Sequence, residues 1–199
     1  MKKTFQQEFL HSLNDSYDFY LNNKIKREEL ITAFSRLKSS DPFSPRLNEW
    51  LLNFYQQNKE TFIFTDTDEF DGKNIRQSLL RQVERYQKTG KILVWTGASD
   101  KTIFGENPSG INGNWAFRCF HELIHTSKQL GFDFAGESMV CSIQCSILPV
   151  DWVLERELIQ IEIIGQNQYF NVHKCFLDDQ RRFAIDYMMD PEKAIFTRQ

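Results

Sequence analysis

The sequence predicts a mainly α fold with a minor β element, an α+β arrangement within one domain spanning 1–199. Three observations carry this. Apolar residues recur at three- and four-residue spacing over most of the chain, the period of a helix with one buried face. Proline and glycine punctuate these stretches at their ends rather than their middles. Only two short runs are β-branched and aromatic enough to read as strands.

In chain order, residues 4–22 carry Phe5, Phe9, Leu13, Phe19 and Tyr20 and read as a helix. A second helix runs from about Lys26 to Lys38, with Leu30, Ile31, Phe34 and Leu37 on one side, and Asp41-Pro42 stops it because proline resists helical geometry. Pro45 to Asn58 restarts a helix through Leu47, Trp50, Leu51, Phe54 and Tyr55. Thr61 to Thr65 is the first strand. A turn at Asp71-Gly72 leads to a long helix over about Asn74 to Lys88, which Gly90 ends. Lys91 to Thr96 is the second strand, available to pair with the first. Gly97 to Asn114 is a long polar loop, of a length often functional or mobile. Trp115 to Gln129 and Ala135 to Leu148 are helices joined by a short turn. Asp151 to Ile164 reads either as a helix capped by Asp151 or as a strand in its β-branched end. Leu177 to Met189 is the final helix, stopped at Asp190-Pro191. Within the domain, an N-terminal helical segment over 1–58 precedes the segment 59–199, which holds the residues with chemistry.

Composition narrows the function. Hydrophobic residues are 41% and charged residues 26%, enough apolar side chain for a packed core, and the 18 Phe imply one built largely of rings. The net charge of −3 gives no global attraction for a phosphate backbone, which argues against a nucleic-acid partner. No run is apolar for 18 residues, so no membrane span is expected, and Thr4, Gln6, Gln7 and Glu8 interrupt any signal-peptide core. The expected compartment is the cytoplasm, with the four cysteines as thiols.

The residues that carry chemistry are His121-Glu122-Leu123-Ile124-His125. Residues four apart on a helix lie one above the other, so His121 and His125 point the same way and can hold one metal ion. Glu122 stands beside the first histidine, where it can serve as general base toward a water on that metal. Glu137 follows at the start of the next helix. Antiparallel packing across the turn brings it near the histidine pair, completing a metal site of His121, His125 and Glu137 with a fourth position for water.

At this motif the chain resembles the zincin metallopeptidases, over one helix and the start of the next. The resemblance implies zinc as cofactor, His121 and His125 as ligands, Glu122 as catalytic base and Glu137 as the downstream glutamate ligand. It implies a metal-dependent hydrolase acting on a peptide or small molecule. The spacing to Glu137 is shorter than in the thermolysin-like group, and no further His follows until His173. Iron remains open as the metal, since two imidazoles and a carboxylate also suit non-haem iron. So does a closed zinc site in which Cys141 and Cys145, another i, i+4 pair, join the histidines, and so does an interaction protein in which the motif is structural. Tyr169 or His173 is a candidate for stabilising an oxyanion.

Overall fold

The computed structural model describes residues 24–68, 74–97, 101–105 and 110–199. The helix read at 4–22 and the Asp71-Gly72 turn lie outside these. The chain is mostly helical with one small sheet. Its elements are α1 (Lys24–Phe34), α2 (Pro45–Asn58), β1 (Phe62–Thr65), α3 (Ile75–Thr89), β2 (Ile92–Trp95), α4 (Gly113–Lys128), α5 (Phe134–Ile147), α6 (Val153–Gln160), a π-helical turn (Ile161–Gly165), α7 (Gln166–His173), α8 (Gln180–Met189) and α9 (Pro191–Phe196). Among the described residues no helix is long and apolar enough to cross a membrane.

Local chemistry sets most of the boundaries. Ser44 caps α2 by accepting from the Leu47 N–H, with Pro45 at the first helical position, where its missing N–H costs nothing. Gly90 ends α3 at φ 68°, a left-handed conformation that glycine adopts without strain. The two strands pair in parallel with Phe62 opposite Ile92 and Thr65 opposite Trp95, and α3 is the crossover that a parallel pair requires.

One hydrophobic core runs from Phe34, Phe43, Leu47 and Leu51 through Phe120 and Ile124 to Phe183 and Met188, so α1 and α2 share it with the C-terminal helices. Trp50 and Phe54 meet the Phe120 ring at centroid distances of 5.0 and 4.9 Å, which seats α2 on α4. A smaller cluster of Phe62, Ile92, Val94 and Cys119 holds the sheet to α4. Buried Glu155 at the start of α6 accepts from Ser44 Oγ at 2.6 Å and from both Arg46 Nε and Nη2, at 2.7 and 2.6 Å, tying α6 to the α2 cap.

Three expectations change. The stretch that read as either helix or strand is a helix from Val153 onward, continued by the π turn into α7. Ile161 and Ile163 are both buried because this segment packs against α5 and α8, so an alternating apolar pattern is satisfied without a sheet. The polar loop after β2 dips into the core, where Phe104 stacks on Phe117 at 4.5 Å and the Ile103 carbonyl accepts from the Phe43 N–H. The chain does not stop at Asp190. Its backbone N–H closes α8 on Asp186 while its side chain accepts from Lys193 N and opens α9.

Candidate metal centre and its cavity

Helices α4 and α5 are joined by residues 129–133. Asp133 caps α5 by accepting from the Gly136 N–H at 2.8 Å. The turn is tight: a Cβ on Gly136 would lie 1.8 Å from the Gly131 carbonyl oxygen. The two helices then run antiparallel, so that His125 near the end of α4 meets Glu137 near the start of α5, and His121, one turn back, meets Gln144.

Three donor atoms converge here. His121 Nε2 and His125 Nε2 are 3.0 Å apart, and Glu137 Oε2 is 3.4 Å from the first and 3.5 Å from the second. A tetrahedral zinc with bonds of about 2.0–2.1 Å holds neighbouring ligand atoms about 3.3–3.4 Å apart. The triangle is therefore the size of one face of such a site. The other ring nitrogens are anchored. His125 Nδ1 lies 2.9 Å from the Leu130 carbonyl, and His121 Nδ1 lies 3.3 Å from Gln144 Oε1. Both partners are acceptors, so in the neutral imidazoles each Nδ1 carries the proton and the two Nε2 lone pairs face each other. Two such lone pairs at 3.0 Å repel unless a proton or a metal cation lies between them. Phe117 and Phe132 flank the imidazoles, with centroids 5.9 and 4.5 Å away, and shield them from water.

The electrostatics set the two imidazoles apart. Burial pushes His121 down to about 4, against the pull of the Glu137 charge. Burial also opposes charge on His125, but the Glu137 hydrogen bond and the Glu137 and Glu122 charges outweigh it and raise that group. Burial opposes ionisation of Glu137, yet the two imidazoles hold it below its ordinary value. Burial raises Glu122, with His125 and Gln82 pulling the other way. Glu122 accepts from Gln82 Nε2 of α3 at 2.5 Å, which fixes the carboxylate beside the cluster.

His125 is fully buried, while Gln82, His121, Glu122 and Glu137 line a cavity of about 730 Å³ that also includes Trp95 at the end of β2. That is within the usual range of a small-molecule site. Its far side is a stripe on the π turn and α7, described below. Arg118, one turn before His121, donates through Nη1 to the carbonyls of Trp95 (2.7 Å) and Gly97 (2.6 Å), which pins α4 to the end of β2.

The structure thus brings His121, His125 and Glu137 together with Glu122 beside them. It does not bring Tyr169 or His173: the Tyr169 hydroxyl accepts from the Gln199 N–H, and His173 Nε2 meets the Ile195 carbonyl. They share the face of α7 that packs on the C-terminus, so neither reaches the cavity and the oxyanion role falls away. Among the described residues the group able to hold a metal contains neither Cys141 nor Cys145. Both thiols are buried, and Cys145 Sγ contacts the Arg156 carbonyl at 3.6 Å. Sequence reasoning missed Gln144, Gln82, Arg118 and Glu162. Gln144 was within reach, since it stands seven residues after Glu137 and hence on the same helix face. No family model, curated protein or solved structure matches the chain.

Proposed function

We propose that the chain is a metal-dependent hydrolase of zincin type, with zinc held by His121, His125 and Glu137. The observation that supports this reading most is the triangle of His121 Nε2, His125 Nε2 and Glu137 Oε2, with edges of 3.0, 3.4 and 3.5 Å and both Nδ1 protons already engaged elsewhere. When bound, the metal supplies Lewis acidity toward a carbonyl and a water acidified toward neutral pKa. The chain's own residues supply the rest. Glu122, held by Gln82 and raised by burial, accepts the proton of the attacking water and can return it to the leaving group. The Leu130 carbonyl and Gln144 keep the imidazoles in the tautomer that presents Nε2. Phe117 and Phe132 keep bulk water from the imidazoles.

The test is elemental analysis of protein purified without chelator, followed by hydrolysis of a fluorogenic peptide mixture by wild type and Glu122→Gln. The expected result is one zinc per chain in both, with turnover lower by about 100-fold or more in the variant. Absence of bound metal sinks the reading, as does a fully active Glu122→Gln. Iron in place of zinc moves the same donor set to oxidative chemistry.

A further inference from the structure

The side of the cavity built by the π turn and α7 has its own pattern. Ile163, Gln166, Asn167, Phe170, Asn171 and Lys174 all line the cavity. Their spacing, at 0, 3, 4, 7, 8 and 11 residues, is the stripe by which a helix normally buries an apolar face. Here the stripe carries three carboxamides and a lysine. Glu162 lines the same cavity although it sits one residue before the stripe. Glu162 stands four residues before Gln166 and so shares its face of the helix, within the π turn over Ile161–Gly165.

At the inner end of the stripe, Glu162 Oε2 and Gln166 Nε2 are screened from water; the Gln166 amide pulls on the Glu162 carboxyl, but neither of these two atoms closes a short hydrogen bond. A screened acceptor and donor held this loosely gain from a ligand that meets both. Further out, Asn171 Nδ2 donates to Asn167 Oδ1 at 2.9 Å, which leaves each amide further hydrogen-bonding capacity. The charge of Arg118 acts on Glu162 and offsets it, so the pair does not call for a cationic ligand.

We propose that Glu162, Gln166, Asn167 and Asn171 form a substrate-recognition strip for a neutral group that carries a hydrogen-bond donor beside an acceptor, a carboxamide or peptide unit, with Glu162 accepting from its N–H and Gln166 donating to its carbonyl. Trp95 and Phe170 line the same cavity and accept an apolar or aromatic substituent next to that group. An ammonium ion is disfavoured by the Gln166 donor and by Arg118. Above about pH 7, where Glu162 is ionised and the titrations are run, an ester fills the same space but offers that carboxylate no proton. The strip serves the hydrolase reading as its substrate side, and its test stands apart from the metal.

The probes are 3-phenylpropionamide, methyl 3-phenylpropionate and 3-phenylpropylammonium, titrated by ligand-observed NMR into the full chain with its metal as purified. Wild type is expected to bind the amide about 5-fold or more tightly than the ester, the scale of a neutral hydrogen bond, with the ammonium weakest. Glu162→Met and Gln166→Leu are each expected to bring the amide-to-ester ratio close to one. Both should keep the wild-type zinc content and a cooperative thermal transition. The strip is refuted if the ester or the ammonium binds wild type as well as the amide, if the amide does not bind, or if either variant keeps the ratio. Should Glu162→Met not fold, Gln166→Leu decides alone. A wild type that holds no zinc yet prefers the amide removes the hydrolase reading and leaves the strip. One that holds zinc without preferring the amide removes the strip and leaves the metal site.

Discussion

The cavity is lined by two regions of opposite character. On α4 and α5 both imidazoles are braced through Nδ1, Glu122 is held by Gln82, and three donor atoms already stand about one metal-ligand edge apart. On the π turn and α7 the innermost polar atoms close no short hydrogen bond and the amides beyond them are only partly used. On the proposed function, the first region is preorganised for a small cation, whose donors must be set before it arrives. The second is organised for a ligand that brings its own hydrogen bonds. On that same reading, a site braced on one side and loosely satisfied on the other has its binding energy to gain from substrate, not from folding.

Removing a metal ligand should break the comparison most completely. His121→Ala and His125→Ala are expected to abolish stoichiometric zinc, and the wild-type rise in Tm on adding zinc should vanish with it. Glu137→Ala should lower zinc affinity about 10-fold or more. Competition with a chromogenic chelator measures all three. If Glu137→Ala binds zinc as wild type does, the third ligand lies elsewhere.

A smaller effect is expected from the brace on His121. Gln144→Leu removes the acceptor of its Nδ1–H and should weaken zinc binding by about 10-fold, while Gln166→Leu leaves zinc binding unchanged. Equal effects from the two substitutions would erase the distinction between the regions.

The smallest effect separates them by pH. Burial raises Glu162 to about 7, against the pull of Arg118 and Gln166. An unfolded glutamate titrates near about 4.3. Between these values the folded chain holds one more proton than the unfolded chain, so this group's contribution to stability is complete below the lower value and is lost as pH rises through the upper one. The limiting slope is about 1.4 kcal/mol per pH unit. Glu162→Gln should flatten the stability profile between about pH 5 and 7, and denaturant unfolding of the two proteins across that range measures the difference. Parallel profiles would show Glu162 ionised throughout.

Much of this was readable from the chain. The metal cluster depends on two local periodicities, an i, i+4 histidine pair and a turn short enough to fold α5 back on α4, and both are written in consecutive residues. α2 was legible to the residue, because Ser44 and Pro45 open it and a run of amphipathic residues fills it. The other side of the cavity was not legible. Ile161 and Ile163 look like strand residues until α5 and α8 are seen to cover two sides of one helix. Glu162 belongs to no motif, and its place on the cavity shows only once the segment is seen to be helical, four residues before Gln166. Tyr169 and His173 misled because a residue's distance along the chain from the histidines says nothing of which face of α7 it occupies.

Gly136 has a consequence for anyone who would transplant the centre. Because a single methyl group there would sit 1.8 Å from the Gly131 oxygen, the turn acts as a length gauge that sets how far Glu137 stands from the histidines. A graft of the HExxH helix and a glutamate onto another helical hairpin would copy the ligands and lose the gauge. The portable unit is 121–144 as a whole, with Gly131, Asp133 and Gly136 as necessary to it as the three side chains that would touch the metal.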